Sequence, residues 1–575
     1  MLVLSGMAMI VGTGAALAAW LLLKLIALVT NLAWFGTIST GPSEIADVSL
    51  GVMTLAIPIL GGLVIGLMAR FGSDKIRGHG IPEAIEAILF GESRLSLKVA
   101  ILKPLSSAIS IGSGGPFGAE GPIIMTGGAI GSLFAQCFHL SGAERKTLLV
   151  AGAAAGMTTI FGTPIAAILL ALEVLLFEWK PRSFVPVVVG TLMALALRPS
   201  LVGSSALFPL VGSLPGAPWL LPVGALLGLA TGLAATLFST ALYRIEDGFH
   251  RLPIHWMWWP ALGAVVVGVG GLIDPRVLGA GYANIDALIE GTMTLRAALM
   301  LLTIKAIVWL VALGSGTSGG VLAPLLILGG SIGAIAGHWL GHPGFWALAG
   351  MAGMMSAAMR APPTGAIFAA ELSGRLDVLP GVAAASVAGY ALAVLILRRS
   401  ILTEKIARRG RHLSQEYSVD PLETARIGDL MTSDPETLDA AMPAVEMLAF
   451  FEQGAHHRSY PVINSAGCPV GLVSRADALR WGSSGGEQGL TLGELASDRS
   501  MSVVTPEMPA SIAADLMIAE DIGRLPVVDA SDGRLVGIVA RRDLLQARTG
   551  LHRAESERKR FVGYGRSRET AALRS

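Results

Sequence analysis

Two glycine-rich stretches with a shared pattern decide the fold: GSGGPFGAEGPIIMTGGAIG at residues 112–131 and GSGTSGGVLAPLLILGGSIG at residues 314–333. At a constant offset of 202 residues they are identical at nine of twenty positions, which include a serine and a proline as well as glycines. A proline and a glutamate nine residues apart follow each copy: Pro164 with Glu173, and Pro362 with Glu371. Because internal repeats indicate a duplicated architecture, we predict two related halves.

The composition indicates a polytopic membrane protein. Of 575 residues, 53% are hydrophobic and only 14% are charged, and there are 72 glycines, whereas soluble domains carry about 25% charged residues. Glycine lets membrane helices pack closely. The net charge of +1 gives no reason to expect nucleic acid as a partner. The first apolar stretch, 7–35, lacks a cleavage pattern, so we expect a spanning helix and not a signal peptide.

Several apolar segments before residue 397 are short or interrupted by glycine and proline, which indicates helices that stop inside the membrane. The basic sequence RRSILTEKIARRGRH at 398–412 comes directly after the last apolar segment, and the positive-inside rule places the C-terminal part of the chain in the cytoplasm. We therefore expect a polytopic α-helical membrane protein with two inverted-repeat halves and broken helices. A cytoplasmic α/β region should complete the chain, and we expect the protein in a bacterial inner (plasma) membrane.

The duplicated loops have the composition of helix N-termini. Proline suits the first turn of a helix, and glycine lets backbone amides approach a ligand. The unpaired N–H groups and the helix dipole at such an end bind an anion without any lysine or arginine. Two halves can direct two such ends to one point near the bilayer midplane.

Glu120 is the carboxylate inside the first loop and has no cationic neighbour in sequence. It can be an ordinary first-turn glutamate that stabilises its helix. Ionisable residues inside a membrane are costly and are functional by default, however. We predict that Glu120 occupies the anion site itself and leaves it when protonated or displaced, as a gate.

At these residues the membrane region resembles the CLC family of chloride channels and proton/anion antiporters. GHGIPE at 78–83, GAEGP at 118–122 and GGVLAP at 319–324 are similar, in order, to the family's GSGIP, GxEGP and GxFxP motifs. The resemblance covers residues 5–410 and implies chloride or small-anion transport by a homodimer with one pore per subunit. It implies no enzymatic activity, no metal and no required cofactor. The anion-contacting positions that it implies are His79, Gly80, Ile81, Gly118, Gly121, Val321, Leu322 and Leu402.

Four positions depart from the family pattern. His79 stands where the family has an anion-contacting serine; its imidazole N–H can donate to an anion, or the ring can turn away. Leu322 replaces a phenylalanine, and Leu402 replaces a tyrosine, which removes a hydroxyl donor and opens the inner mouth. Ala119 stands where an arginine or lysine usually precedes the gate glutamate.

The position that carries an inner, proton-delivering glutamate in the family's antiporters is Val174 here. Its neighbour Glu173 is expected to be structural, at a helix end. Without a carboxylate at position 174 no proton relay from the cytoplasm is evident, so we favour a passive chloride channel. The alternative is a proton-coupled anion antiporter, because some antiporters lack that residue.

The C-terminal region contains a second repeat, SYPVINSAGCPVGLVSRADALR at 459–480 and RLPVVDASDGRLVGIVARRDLLQ at 524–546. It resembles a tandem pair of CBS domains, which we place at 426–482 and 492–548 after a linker at 411–425. The resemblance implies an adenine nucleotide held by Asp477 and Asp543, although an aspartate there can equally cap its helix. The basic, mixed-charge tail at 549–575 is expected to be disordered.

Two other functions fit parts of the sequence. Gly316 to Gly319 matches the GxSG pattern of intramembrane serine proteases, with Ser318 as the nucleophile and His338 on the following helix. A cation transporter is also considered, because CBS pairs regulate magnesium carriers, but it requires carboxylates around a pore. The glycine loops instead offer hydrogen-bond donors, which favours anions.

Overall fold

The computed structural model divides the chain into two compact units, Met1–Gln415 and Glu416–Ser575. It describes all residues except 49–50, 92, 213, 398, 410–421, 423–424, 453–454, 484–488, 498–500 and 548–575. The predicted tail at 549–575 and the predicted linker, apart from Leu422 and Ala425, lie outside the described residues.

The first unit is built from two halves of eight helices each over its described residues. The first half contains α1 (Leu2–Thr30), α2 (Met53–Phe71), α3 (Ile81–Phe90), α4 (Leu97–Gly112), α5 (Glu120–Gln136), α6 (Gly142–Phe161), α7 (Pro164–Leu170) and α8 (Pro181–Leu201). The second half contains α9 (Ala217–His250), α10 (Trp259–Ile273), α11 (Tyr282–Glu290), α12 (Leu295–Gly314), α13 (Leu322–Leu340), α14 (Pro343–Met359), α15 (Pro362–Ser373) and α16 (Leu379–Ile396). A short α17 (Thr403–Arg408) comes after them. Corresponding helices pack alike: α5 contacts α6 as α13 contacts α14, and α1 contacts α8 as α9 contacts α16.

Helix length separates spanning helices from broken ones. Over the described residues, eight helices are long and apolar enough to cross a membrane. The ten-residue α3 rises only about 15 Å, half of a hydrocarbon core of about 30 Å. The equivalent α11 has nine residues. The predicted broken helices are confirmed.

The two glycine loops meet at the centre of the first unit. The backbone N–H of Gly320 donates to the carbonyl of Gly118 at 2.9 Å, and the N–H of Gly118 donates to the carbonyl of Gly320 at 3.3 Å. These two glycines occupy the same position in the two repeats, and each donates its N–H to the carbonyl of the other. Such reciprocity places a local two-fold axis between them, which is the relation of an inverted repeat.

Glycine also sets the packing of two equivalent helix pairs. Gly127 of α5 faces Gly152 of α6, and Gly329 of α13 faces Gly350 of α14. A Cβ on any of these four glycines would overlap the carbonyl oxygen of the opposite one. The backbones therefore approach as closely as small residues allow in membrane helix pairs.

The second unit contains two small α/β layers. Its helices are α18 (Ile427–Leu430), α19 (Ala444–Glu452), α20 (Arg475–Ser483), α21 (Leu492–Ser497) and α22 (Ala510–Ala519), and its strands are β1 (Thr432–Ser433), β2 (Leu438–Asp439), β3 (Ser459–Ile463), β4 (Pro469–Ser474), β5 (Arg524–Val528) and β6 (Leu535–Ala540). One sheet has the order β2-β3-β4 and the other β1-β6-β5. The α/β character predicted for this region is confirmed.

The two layers exchange their first segments. β1 lies within the predicted first repeat but pairs with β6 of the second, through Thr432 opposite Ile538. Conversely, α21 lies in the predicted second repeat but packs on the first sheet, where Ala496 contacts Gly471. The compact halves are therefore offset along the chain from the repeats at 426–482 and 492–548.

Candidate functional site: the junction of the glycine loops

Three helices of the first unit begin at one point. α3 starts after Gly80, whose φ of 87° is left-handed, α5 starts after Ala119, and α13 starts after Val321. Gly121, in the first turn of α5, lies against the carbonyl of His79, and a Cβ on Gly121 would come within 3.2 Å of the Cα of Gly320. The three predicted motifs are thus brought together, with their helix N-termini facing a common junction.

The predicted anion-contacting residues lie around this junction or at the start of α17. His79, Gly80 and Ile81 form the start of α3, Gly118 and Gly121 flank Glu120, Val321 and Leu322 form the start of α13, and Leu402 directly precedes α17. All of these residues are buried. Leu322 and Leu402 present no polar side chain, so only their backbone groups are available to an anion.

Glu120 occupies the junction. Only 1% of the residue is exposed, and its Oε1 accepts a hydrogen bond from the hydroxyl of Tyr282 at 3.3 Å. The amides of Glu120 itself and of Ala323 direct their N–H dipoles at the carboxylate, while Oε2 has no hydrogen-bond partner among the described residues. The carboxylate is therefore held weakly, where an anion would be stabilised by the same amides.

Glycine shapes the space for this carboxylate. A Cβ on Gly118 would overlap both carboxylate oxygens, and a Cβ on Gly320 would come within 2.7 Å of Oε2. Because the two glycines also pair with each other, one backbone bridge supports the carboxylate from both repeats.

A cavity of about 540 Å³ lies on the His79 side of the junction. It is lined by Asp74, Arg77, Gly78, His79, Leu242, Tyr243, Glu246, Asp247, His250, Leu313, Gly316, Lys405, Arg408 and Arg409, and we call it the His79 cavity. The Nδ1 of His79 is buried and has no partner among the described residues. Its imidazole therefore keeps one ring nitrogen for a ligand or water that reaches the cavity.

A second cavity, of about 520 Å³, includes Ala119 and Tyr282 in its lining, and we call it the Tyr282 cavity. Its walls are mostly apolar and come from α1, the end of α8 and the segment before α11. Glu120 follows Ala119 directly and contacts Tyr282, while its neighbour Gly121 touches His79. The carboxylate thus lies between residues that line the two cavities.

Tyr282 and Tyr243 were missed by sequence reasoning. Tyr243 of α9 donates its hydroxyl to the carbonyl of Ile401 at 2.6 Å, beside Leu402, and its ring lines the His79 cavity. It brings a phenol close to the start of α17, where the family's tyrosine is replaced by leucine. Neither tyrosine belongs to a motif, and no local pattern identifies a contact that spans 158 residues.

A pair of buried lysines was also missed. Lys103 of α4 donates to the carbonyls of Ile76 and Gly78 at 2.8 and 2.6 Å, and so fixes the loop that leads to His79. Lys305 of α12 donates to the carbonyls of Val277 and Gly279 at 2.9 and 3.0 Å, before α11. The two lysines are 202 residues apart, so the repeat offset was the signal that could have found them.

Val174 lies in the π-helical turn Ala171–Leu176 that continues α7, and it is 2% exposed. The neighbouring Glu173 accepts hydrogen bonds from the backbone N–H of Thr364, at 3.0 Å, and from its hydroxyl. Glu173 therefore caps α15, which gives it the structural role expected from the sequence.

The structure does not support the protease hypothesis. Ser318 is fully buried, and its hydroxyl bonds to those of Ser106 and Ser107 at 3.1 and 3.0 Å. His338 lies exposed near the end of α13, against Trp339. Among the described residues no base is hydrogen-bonded to this serine, whereas a serine nucleophile needs one. Within the described part of the chain, no cluster of three histidine, cysteine or acidic side chains is arranged to hold a metal ion.

The two CBS aspartates lie in the first turn of a helix, Asp477 in α20 and Asp543 in the helical residues 541–547 that follow β6. Asp477 accepts from the N–H and hydroxyl of Ser474 at 3.0 and 2.6 Å, and Ser474 in turn accepts from the N–H of Asp477. Asp543 accepts from the N–H of Ala540 at 2.8 Å. Both carboxylates hold the turn from strand to helix, as a capping aspartate does.

Two inverted halves, whose broken helices meet at one carboxylate between two cavities, define a membrane anion-transport protein. Residues 61–394 match the family model described as voltage gated chloride channel. The chain belongs to this family, the CLC family, and residues 427–484 and 492–550 each match the CBS domain. The predicted resemblance is confirmed.

Curated relatives and solved structures agree with this assignment. The chain is 30% identical over 371 residues to the "Voltage-gated ClC-type chloride channel ClcB" of Salmonella typhimurium, covering 61% of this chain and 87% of that protein. The ClcB of Escherichia coli SMS-3-5 is 29% identical over 373 residues, which cover 62% of this chain and 87% of that protein.

Among solved structures, a slow cyanobacterial Cl⁻/H⁺ antiporter superposes with a TM-score of 0.63 at 22% identity, covering 71% of this chain and 97% of the other. A eukaryotic CLC transporter superposes with a TM-score of 0.60 at 19% identity, covering 94% of this chain and 97% of the other. At these identities the structures support the fold.

Proposed function

We propose that this protein is a passive chloride channel gated by Glu120, with no enzymatic activity. The observation that carries the proposal is the position of the Glu120 carboxylate, buried between the His79 cavity and the Tyr282 cavity at the start of α5. There it occupies the amide-lined place that an anion would take. When the carboxylate leaves, the two cavities are joined through a junction of hydrogen-bond donors.

Val174 and Glu173 support a channel over an exchanger. Val174 offers no proton acceptor, and Glu173 is engaged by both donors of Thr364. A proton arriving from the His79 side therefore finds no free carboxylate on α7. Without a relay, protonation of Glu120 can regulate chloride flow, but protons are not carried in a fixed ratio with chloride.

Proton-coupled exchange is the alternative. It is favoured by the two structural neighbours whose titles name a Cl⁻/H⁺ and a fluoride/proton antiporter. The experiment that separates the two is the reversal potential of purified protein in planar bilayers under a pH gradient and a chloride gradient. A channel gives the chloride Nernst potential at every pH gradient, whereas a potential that moves with the proton gradient overturns the channel.

The gate itself is tested by Glu120→Gln. Glutamine removes the negative charge, as protonation does, and weakens attraction to the amides of α5 and α13. We expect wild-type chloride flux in liposomes to rise as pH falls, because the protonated carboxylate leaves the anion site. The variant should show high flux with little pH dependence. An unchanged pH profile in a folded variant contradicts the gate.

We propose that two copies assemble, each with its own pore, because one chain supplies both glycine loops and the whole junction. Light scattering in detergent should give two chains per particle, and a monomer contradicts this. The basic sequence at 398–412 supports a cytoplasmic second unit in a bacterial inner membrane. Protease should then remove that unit from inverted vesicles and spare it in intact spheroplasts.

We also propose that the CBS pair binds an adenine nucleotide and regulates the channel, on the strength of the CBS family match. Asp477 and Asp543 are engaged in turns, but an ionised carboxylate has about four lone-pair sites, so each can also accept from a ribose hydroxyl. ATP, ADP or AMP should raise the melting temperature of the protein, and Asp543→Ala should abolish the shift. Absence of a shift for all three nucleotides removes this role.

A further inference from the structure

Four lysine and arginine side chains line the His79 cavity, and Arg77 differs from the other three in its ion pairing. The other three are ion-paired: Lys405 with Glu83, Arg408 with Asp247, and Arg409 with Glu86. Within the described residues Arg77 has no ion pair, and its buried Nε has no hydrogen-bond partner. Asp74 and Glu246 line the same cavity without pairing with it. A buried N–H donor without a partner is unfavourable, so an acceptor that enters from the cavity would stabilise this side chain.

Two tryptophan rings hold the guanidinium of Arg77 in place. Its central carbon lies 4.6 Å from the ring centroid of Trp256 and 5.6 Å from that of Trp259. A cation over an aromatic face is attracted by the ring, and this leaves the N–H groups, which lie in the guanidinium plane, free to donate. The rings therefore position the arginine without using its N–H donors.

The donor edge of Arg77 faces the second glycine loop. A Cβ on Gly316 would lie 2.8 Å from Nη2 and 3.0 Å from Nε, so any side chain there would cover this edge. Gly316 has a φ of 81°, which also favours glycine. Both residues line the His79 cavity, and glycine at position 316 leaves no side chain between this pair of N–H donors and the second glycine loop.

We propose that Arg77 forms an anion-binding site in the wall of the His79 cavity, apart from the Glu120 junction, that takes small planar oxyanions such as nitrate more tightly than chloride. The paired donors of Nε and Nη2 match two oxygens of one planar anion, whereas a halide offers a single acceptor. This inference rests on the proposed function, because the site would bind anions that enter the channel through the His79 cavity.

The test compares Arg77→Gln, Arg77→Lys and the control Arg182→Gln, which removes one exposed arginine at the start of α8, outside both cavities. In planar bilayers the half-saturating concentrations of nitrate and chloride are measured from the His79 side. Arg77→Gln should raise the nitrate value roughly tenfold and the chloride value roughly threefold, the size of one charge-assisted contact. Arg77→Lys keeps the charge without the paired donors. Its half-saturating concentration should therefore return to the wild-type value for chloride but stay raised for nitrate. The control should match wild type.

An unchanged nitrate value in folded Arg77→Gln overturns the site. If that variant does not fold, Arg77→Lys decides, because an unaltered nitrate-to-chloride ratio equally overturns it. Absence of any anion current from the wild type refutes the proposed function and not the site. In that case calorimetry with nitrate on the detergent-solubilised protein still tests the site, and equal binding by wild type and Arg77→Lys contradicts it.

Discussion

At the residue scale, the contacts of Glu120 explain how a carboxylate is tolerated in an apolar surrounding. Its charge faces backbone amides and one tyrosine hydroxyl, and two glycines make room for it. Backbone donors stabilise an anion without binding it through an opposite charge. This is what the proposed gating requires, because a salt bridge with a lysine would oppose the exchange of the carboxylate for another anion.

Tyr282→Phe tests the hydroxyl that holds this carboxylate. The change removes the donor to Glu120 Oε1 but keeps the ring against Phe208. One hydrogen bond contributes about 1 kcal/mol, so we expect chloride flux at neutral pH to rise roughly fivefold. In the Glu120→Gln background the same substitution should have little further effect, because its partner is already altered. Equal effects in both backgrounds would show that Tyr282 acts elsewhere.

Motif residues could be predicted and their partners could not. Glu120, Gly118 and Leu322 were identified because they belong to ordered motifs that repeat. The side chains of Tyr282 and Arg77 meet Glu120 and Gly316 only after folding, the first across 162 residues. Physical contact over such separations leaves no periodic signal in a single sequence.

At the element scale, the two halves cap each other's short helices. Glu173 at the end of α7 caps α15, while Glu371 of α15 accepts from the backbone N–H groups of Ile165 and Ala166, at 3.0 and 2.8 Å, and so caps α7. The repeated Pro–Glu spacing was visible in the sequence, but the exchange between halves was not. The exchange results from the two-fold relation, since each helix start lies beside the other helix's end.

Replacing either capping glutamate should destabilise the membrane unit. Glu173→Ala and Glu371→Ala each leave backbone N–H donors at a helix start without their acceptor, at about 1–3 kcal/mol. We expect a lower melting temperature in detergent for each variant. Glu290→Ala, at the exposed end of α11, serves as the control and should melt like wild type. If the capping variants melt like the control, the cross-capping does not stabilise the fold.

At the scale of the whole molecule, duplication supplies a symmetric frame for an asymmetric site. The glycine bridge, the buried lysines Lys103 and Lys305, and the helix caps occur in both halves. The proposed gate does not, because the position of Glu120 is occupied by Leu322 in the second half. The repeat predicted the frame correctly, since a duplicated sequence requires a duplicated packing. It could not predict the two cavities, which depend on how side chains from distant helices fill the space on each side.

The offset between sequence repeats and compact halves in the CBS pair leads to the last prediction. One hydrophobic core runs from Leu438 to Ala496 and includes Leu492 of α21. The other joins Leu422 and Ile427 to residues 504–544. A fragment cut at the repeat boundaries, 426–482, loses Leu492 and Ala496 from its core and carries α18 without its partner. A fragment of residues 435–497 keeps the first core complete.

We therefore expect fragment 435–497 to unfold cooperatively on heating, followed by circular dichroism, and fragment 426–482 to show no cooperative transition. The reason is that a domain of about 60 residues is marginal and does not tolerate loss of core side chains. Substituting Leu492→Ala in the longer fragment should abolish its transition, whereas exposed Leu479→Ala should leave it nearly unchanged. A cooperative transition in 426–482 would show that the sequence repeat, and not the exchanged arrangement, is the unit that folds.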